Sequence, residues 1–145
     1  MNTGIKLAWW LVIMTAGGYT ARAAEDKAEK AKPYQLQVAS EPATVAVGAT
    51  AQYRLTITPQ APWVLKTTTP LKAKLKPSAG VSLAKTTLTA KEIVDPNSVA
   101  KTVATNFSAT KSGAQRIAAE VSFFLCTEEI CERNADTIDL AVTVP

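Results

Sequence analysis

The chain predicts an all-β protein, a single antiparallel β-sandwich of seven to nine strands. Three observations carry that reading. From Tyr34 onward the composition turns to Val, Thr, Ala and Leu. Pro or Gly arrives roughly every ten residues, the rhythm of short strands joined by turns. Several segments alternate apolar and polar side chains with a period of two, which sends successive residues to opposite faces of a strand. No stretch shows a helical period.

The alternating segments set out the strands. Gln52 to Thr58 puts Tyr53, Leu55 and Ile57 on one face and Arg54, Thr56 and Thr58 on the other, and Pro59 and Pro62 end it. Val103, Thr105 and Phe107 alternate with Ala104, Asn106 and Ser108. Ser112-Gly113 then turns the chain into Gln115 to Cys126, where Ile117, Ala119, Val121, Phe123 and Leu125 share a face. This is the longest expected strand and takes a central place. Leu71 to Lys76 and Gly80 to Leu83 supply shorter pieces, and Ile138, Leu140, Val142 and Val144 close the sheet.

The beginning of the chain reads differently. Lys6 is followed by the apolar run Leu7 to Ala16 and then by Ala21-Arg22-Ala23, small residues placed as a signal peptidase requires, so residues 1–23 are expected to be a secretory signal peptide. The apolar run is half of the roughly 20 residues needed to cross a bilayer as a helix, so no membrane insertion is expected after cleavage. Residues 24–33 form a charged leader with no apolar face. Of 145 residues, removal of 23 leaves 122, and 34–145 is read as one domain able to bury its own core.

Composition excludes much chemistry. Lys6 and Arg22 leave with the signal, so sixteen basic residues fall to fourteen against twelve acidic ones, a net charge of +2. The remaining bases are scattered, which argues against a nucleic-acid partner. There is no histidine, and both methionines, Met1 and Met14, lie in the signal. A hydrolase built on an imidazole base is therefore excluded, and a metal would find only two thiolates and carboxylates. No glycine loop suited to phosphates is present. Neither a cofactor nor a metal is expected, and nothing in the sequence bears on oligomeric state.

Cys126 and Cys131 lie five apart in FFLCTEEICERNAD, after the longest strand. Export places them in an oxidising compartment, where close thiols pair. A disulfide here closes a loop of only six residues, for which loop entropy contributes about 2 kcal/mol. That is a modest gain for a domain with a core of its own. A bond at a strand end beside an exposed connection also suits exchange, in which a thiolate must approach one sulfur along the bond axis. Parity places Cys126 on the face of Phe124, opposite Phe123 and Leu125, so it need not be sealed in the core. Cys131, in the connection before the last strand, is expected to be the more accessible sulfur. Glu128, Glu129 and Glu132 crowd the pair, with Arg133 opposing them, and like charge disfavours a thiolate. From spacing alone, a redox pair and an inert staple both remain open.

At these residues the chain resembles the periplasmic N-terminal domain of the thiol:disulfide interchange protein DsbD. The resemblance spans Tyr34 to Val144: a strand like Ala51 to Thr58, the turn Pro62-Trp63-Val64-Leu65, the run Pro70 to Leu83, then VSFFLC-TEEI-C and a final strand. It implies an immunoglobulin-like sandwich in the periplasm of a bacterium, or secreted, acting as a protein-disulfide reductase or electron relay. By position, Cys131 would form mixed disulfides with partners, Cys126 would resolve them, and Trp63 would be an aromatic near the pair. The implied partners are a thioredoxin-like or membrane thiol-disulfide oxidoreductase. Two departures stand out. Glu132-Arg133-Asn134 replaces a proline-containing stretch, and the expected shielding loop, Ala90 to Asn97, has no aromatic ring. The family's domain is normally fused to a membrane carrier and a thioredoxin-like domain, whereas this sequence runs only to Pro145, so a separate reductant is expected. The alternative is a non-enzymatic binding or assembly module with a static disulfide.

Overall fold

The computed structural model describes residues 32–145; the expected signal peptide and most of the charged leader lie outside them. Eight strands form two antiparallel sheets of four, an immunoglobulin-like β-sandwich. The strands are β1 (Tyr34–Glu41), β2 (Thr50–Pro59), β3 (Leu71–Pro77), β4 (Val81–Leu83), β5 (Thr87–Thr89), β6 (Lys101–Ala109), β7 (Gly113–Cys126) and β8 (Cys131–Val144). The first sheet has the order β1-β2-β6-β4 and the second β5-β3-β7-β8.

Alternation explains which face each strand buries. Tyr53, Leu55 and Ile57 of β2 and Val103 and Phe107 of β6 face Ile117, Ala119, Val121, Phe123 and Leu125 of β7 across the interior. Each fully buried Leu, Ile or Phe contributes about 1.5–3 kcal/mol through the area it removes from water. One polar atom goes unmatched in this core: the Tyr53 hydroxyl has no hydrogen-bond partner among the described residues. Burial alone pushes its pKa far up.

Two expectations need correcting. β7 is not alone as the longest strand, because β8 matches its 14 residues. Cys131 is therefore not in a connection; it is the first residue of β8, and every β8 residue back to it has a partner in β7. The early half of β8 hides from pattern reading because it is an edge strand whose Glu132, Arg133, Asn134 and Asp136 show no apolar alternation. β1 and the three-residue β5 also add to the expected set. At the expected turn, Gly113 takes a φ of 102°, a left-handed conformation that a side chain would oppose.

Register fixes which loops share an end. β7 runs from Gly113 to Cys126, and Leu71 of β3 pairs with Phe123. In the first sheet, Ile57 pairs with Lys101 and Tyr34 with Pro59. The disulfide end of the sandwich therefore carries the β7–β8 tip, the 60–70 connection and the 93–100 connection. The opposite end carries the 42–49, 78–80 and 110–112 segments. Residues 90–97 hold a short 3-10 helix (Ala90–Glu92), closed by a capping box between Thr89 and Glu92. Beyond it Ile93 bridges Val103, and Val94 donates to the Thr102 carbonyl. The ammonium of Lys101, itself buried, holds the rest of the connection by donating to the carbonyls of Pro96 and Ser98.

Candidate functional site

The site grows from a hairpin. β7 and β8 pair along their whole length, and the last pair is Cys126 with Cys131. These two form a disulfide, with Cα atoms 4.0 Å apart. The four residues between them close the tip. Thr127 is its organising residue: its N–H donates to the Ile130 carbonyl at 2.7 Å, and its Oγ1 accepts from the N–H groups of Glu129 and Ile130 at 3.2 Å each. A threonine side chain that takes up local N–H groups favours a tight turn in this way.

The two sulfur-bearing residues have unlike surroundings. Cys131 is exposed, whereas Cys126 is 1% exposed. Parity does place Cys126 on the outer register of Phe124 and Ser122, yet it is sealed. The expectation that it need not be is corrected, for Cys126 is buried, and it has a backbone partner distant in sequence. Val64 pairs with Cys126 on the side away from β8, with N–H to carbonyl bonds of 2.9 Å in both directions. Cys126 thus lies between Val64 and Cys131. Leu65, buried in the core, anchors the segment that brings Val64 there.

Trp63 adjoins Val64 in the chain, and its backbone N–H donates to the Gln60 carbonyl. Its half-buried side chain packs against the core cluster. Val64, rather than Trp63, is the residue directly across from Cys126. Beneath the site, Tyr34 meets Phe123 edge-on with ring centroids 4.9 Å apart, an arrangement that contributes about 0.5–1.5 kcal/mol beyond burial.

Charge around the pair is acidic and exposed. Glu128, Glu129 and Glu132 make no ion pair among the described residues, and Arg133 pairs with none of them. Further along β8, Asp136 accepts from Lys32 at 2.7 Å and from the Tyr34 hydroxyl at 3.1 Å. Burial works to raise the Asp136 pKa, but the Lys32, Thr137 N–H and Tyr34 hydrogen bonds carry it below its ordinary value. Tyr34 moves the other way, raised first by burial and then by the neighbouring carboxylate. Lys32 and Pro33, assigned to the leader from sequence, are tied to the domain, Pro33 accepting from the Gln60 N–H.

Sequence reasoning singled out Cys126, Cys131 and Trp63; it missed Val64, Leu65 and Thr127. Val64 could not be found locally, since a single bridge leaves no periodic trace. Thr127 carried a signal, a hydroxyl at the start of a four-residue strand connection. Among the described residues no group of three or more His, Cys, Asp or Glu could hold a metal, and no helix is long and apolar enough to cross a membrane.

Fold and site define a β-sandwich protein with a disulfide at the tip of its longest hairpin. No family model matches the chain, and no curated protein matches it. Among solved structures it is similar to a cohesin module from a family 33 glycoside hydrolase of Clostridium perfringens. That similarity has a TM-score of 0.44 and 8% identity, over 77% of this chain and 96% of that one.

Proposed function

We propose that this protein is an exported thiol-disulfide relay module of the kind the DsbD N-terminal domain exemplifies, working through Cys126 and Cys131. The observation that supports it is the asymmetry of the bond, one sulfur carried by an exposed residue and the other by a residue 1% exposed. A thiolate from a reduced partner attacks Cys131 Sγ. The Cys126–Cys131 bond breaks, and its electron pair leaves on Cys126 Sγ, which takes up a proton. A second thiol of the partner then displaces Cys131 from the mixed disulfide, so two electrons and two protons pass from the partner's dithiol to this protein. The return step is the reverse: Cys131 attacks an acceptor disulfide and Cys126 resolves the adduct. Shielding of Cys126 directs attack to one sulfur and protects the resolving thiol from outside oxidants.

A second reading, a binding module with a static disulfide, is favoured by the exposed apolar side chains of Val94 and Val99 in the neighbouring connection. The reduction potential separates the two. Structural disulfides lie below about −300 mV and exchangeable ones above it. Equilibration with glutathione or thioredoxin buffers, read by alkylation and intact mass, is expected to place the pair above that line; a value well below it leaves the static module. In the same assay Cys126→Ser is expected to trap mixed disulfides with a thioredoxin-like partner and Cys131→Ser far fewer, while equal trapping removes the assigned roles.

A further inference from the structure

The hydrogen-bond pattern puts more than a sulfur at the margin of the second sheet. β8 is the outermost strand there. In an antiparallel ladder a residue aims its N–H and C=O to the same side, and successive residues alternate sides. The N–H and C=O of Cys126 both go to Val64. Its pairing with Cys131 is therefore of the non-hydrogen-bonded kind, and the N–H and C=O of Cys131 face away from β7, toward the open edge. By the same alternation those of Arg133, Ala135 and Thr137 do too.

Two separate contacts agree with this parity. The Thr137 N–H is taken up by the Asp136 carboxylate at 2.9 Å. Thr143, of the same parity, bridges Thr44 in parallel on the outer side of β8. The 42–47 segment thus guards the edge near the far end. From Cys131 to Ala135, no described residue bridges it.

We infer that this open stretch of β8 docks an extended, cysteine-bearing segment of the partner protein, added as a strand with its thiol opposite Cys131. The inference rests on the relay reading and names how that partner is held. A residue added opposite Cys131 forms a hydrogen-bonded pair with it, because the Cys131 N–H and C=O point there. Such pairs have Cα atoms about 5.5 Å apart, with both side chains on one face. That is the commonest Cα spacing of a disulfide, so strand addition by itself brings the thiol into range of Cys131 Sγ. The exposed Glu128, Glu129 and Glu132, without an ion pair among the described residues, specify the rest of the partner: lysine or arginine beside its cysteine. Those cations complement the tip and also hold the attacking thiol in its thiolate form.

The test uses the oxidised protein and synthetic heptapeptides with a central cysteine flanked by lysines. In one version the amides two residues either side of the cysteine, which would face β8, are N-methylated. In the other, the amides one residue either side are N-methylated. Mixed-disulfide formation is followed by mass spectrometry, with dithiothreitol as a probe that needs no docking. The first version is expected to react about tenfold more slowly than the unmethylated peptide, the loss of its strand hydrogen bonds, and the second at nearly the unmethylated rate. A glutamate-flanked peptide is expected to be slower than the lysine-flanked one, and added salt to narrow that gap. Equal rates for the two methylated versions, while the pair still equilibrates with glutathione or thioredoxin buffers and dithiothreitol reduces it, overturn the edge docking and leave the relay standing. Failure of the pair to equilibrate with those buffers overturns the relay itself. If the β8 amides of Arg133 and Ala135 instead gain exchange protection as the protein alone is concentrated, the edge binds a second copy of the chain and the proposal falls.

Discussion

The two ends of the sandwich dispose of their apolar side chains differently. At the disulfide end, four large apolar side chains stay in water: Val64 at 51% exposure, Ile130 at 53%, Val94 at 54% and Val99 at 74%. At the other end only Val47 does so among the described residues. There the chain spends its apolar side chains inward, with Val45 buried and the 42–49 segment bridged to both Ala109 and Thr143. One end closes on itself, while the other leaves apolar groups and the exposed Cys131 uncovered.

The sharpest way to break that comparison is to cut an anchor at each end. Leu65→Ala is expected to cost about 2–5 kcal/mol and, by freeing Val64, to unseal Cys126. In a Cys131→Ser background the alkylation rate of Cys126 should then rise at least tenfold. Val45→Ala at the quiet end should cost about 2 kcal/mol and leave that rate unchanged. Chemical denaturation and timed alkylation give both numbers. If both substitutions unseal Cys126, the two ends are coupled and the division of labour fails.

Reduction of the disulfide comes next in size. The bond closes a six-residue loop, so reduction is expected to cost about 2 kcal/mol and to leave the β-sheet circular dichroism intact at room temperature. Loss of the sheet signal would make the hairpin tip a fold-holding element.

pH sharpens the picture further, because the connection at the disulfide end depends on Glu92. The hydrogen bond from Lys85, then the Thr89 backbone N–H, push the Glu92 pKa from 4.5 down to about 2. A carboxylate whose pKa is lower folded than unfolded adds stability that is fully present above the unfolded value and is lost as pH falls through the folded one. Tm is therefore expected to decline between about pH 4.5 and 2, and Glu92→Gln to flatten that part of the decline. An unchanged profile would show that the capping box contributes nothing to the stability of the end.

The smallest effect concerns the core that both ends share. Tyr53→Phe removes a hydroxyl that has no partner among the described residues. It is expected to leave stability unchanged or raise it by up to about 1 kcal/mol. A loss above that size would reveal a hydrogen bond serving the hydroxyl.

How far these features could be read from the chain depends on the range of the interaction that produces them. The apolar face of β7, from Ile117 to Leu125, was legible because a half-buried strand writes its own alternation. The nearness of the two cysteines was equally plain. The first half of β8 was illegible because an edge strand with polar residues on both faces carries no such signature. The outer neighbour of Cys126 was hidden for another reason: Val64 lies 62 positions earlier and pairs with it through backbone groups that any residue possesses. Tip geometry was half visible in Thr127. Trp63 drew notice as an aromatic, yet the smaller valine beside it is the residue set against the cysteine.

A last consequence follows from the direction of β1. Lys32 and Tyr34 sit beside Asp136 at the disulfide end, whereas β8 carries the chain to Val144 at the other. The molecule therefore has a front and a back with respect to attachment. A tag or carrier joined directly ahead of Lys32 is expected to crowd the groups of the disulfide end, while one joined after Pro145 leaves them facing outward. Immobilising the protein by each terminus in turn converts this polarity into a measurement, since only the C-terminal tether presents the hairpin tip to solution unobstructed.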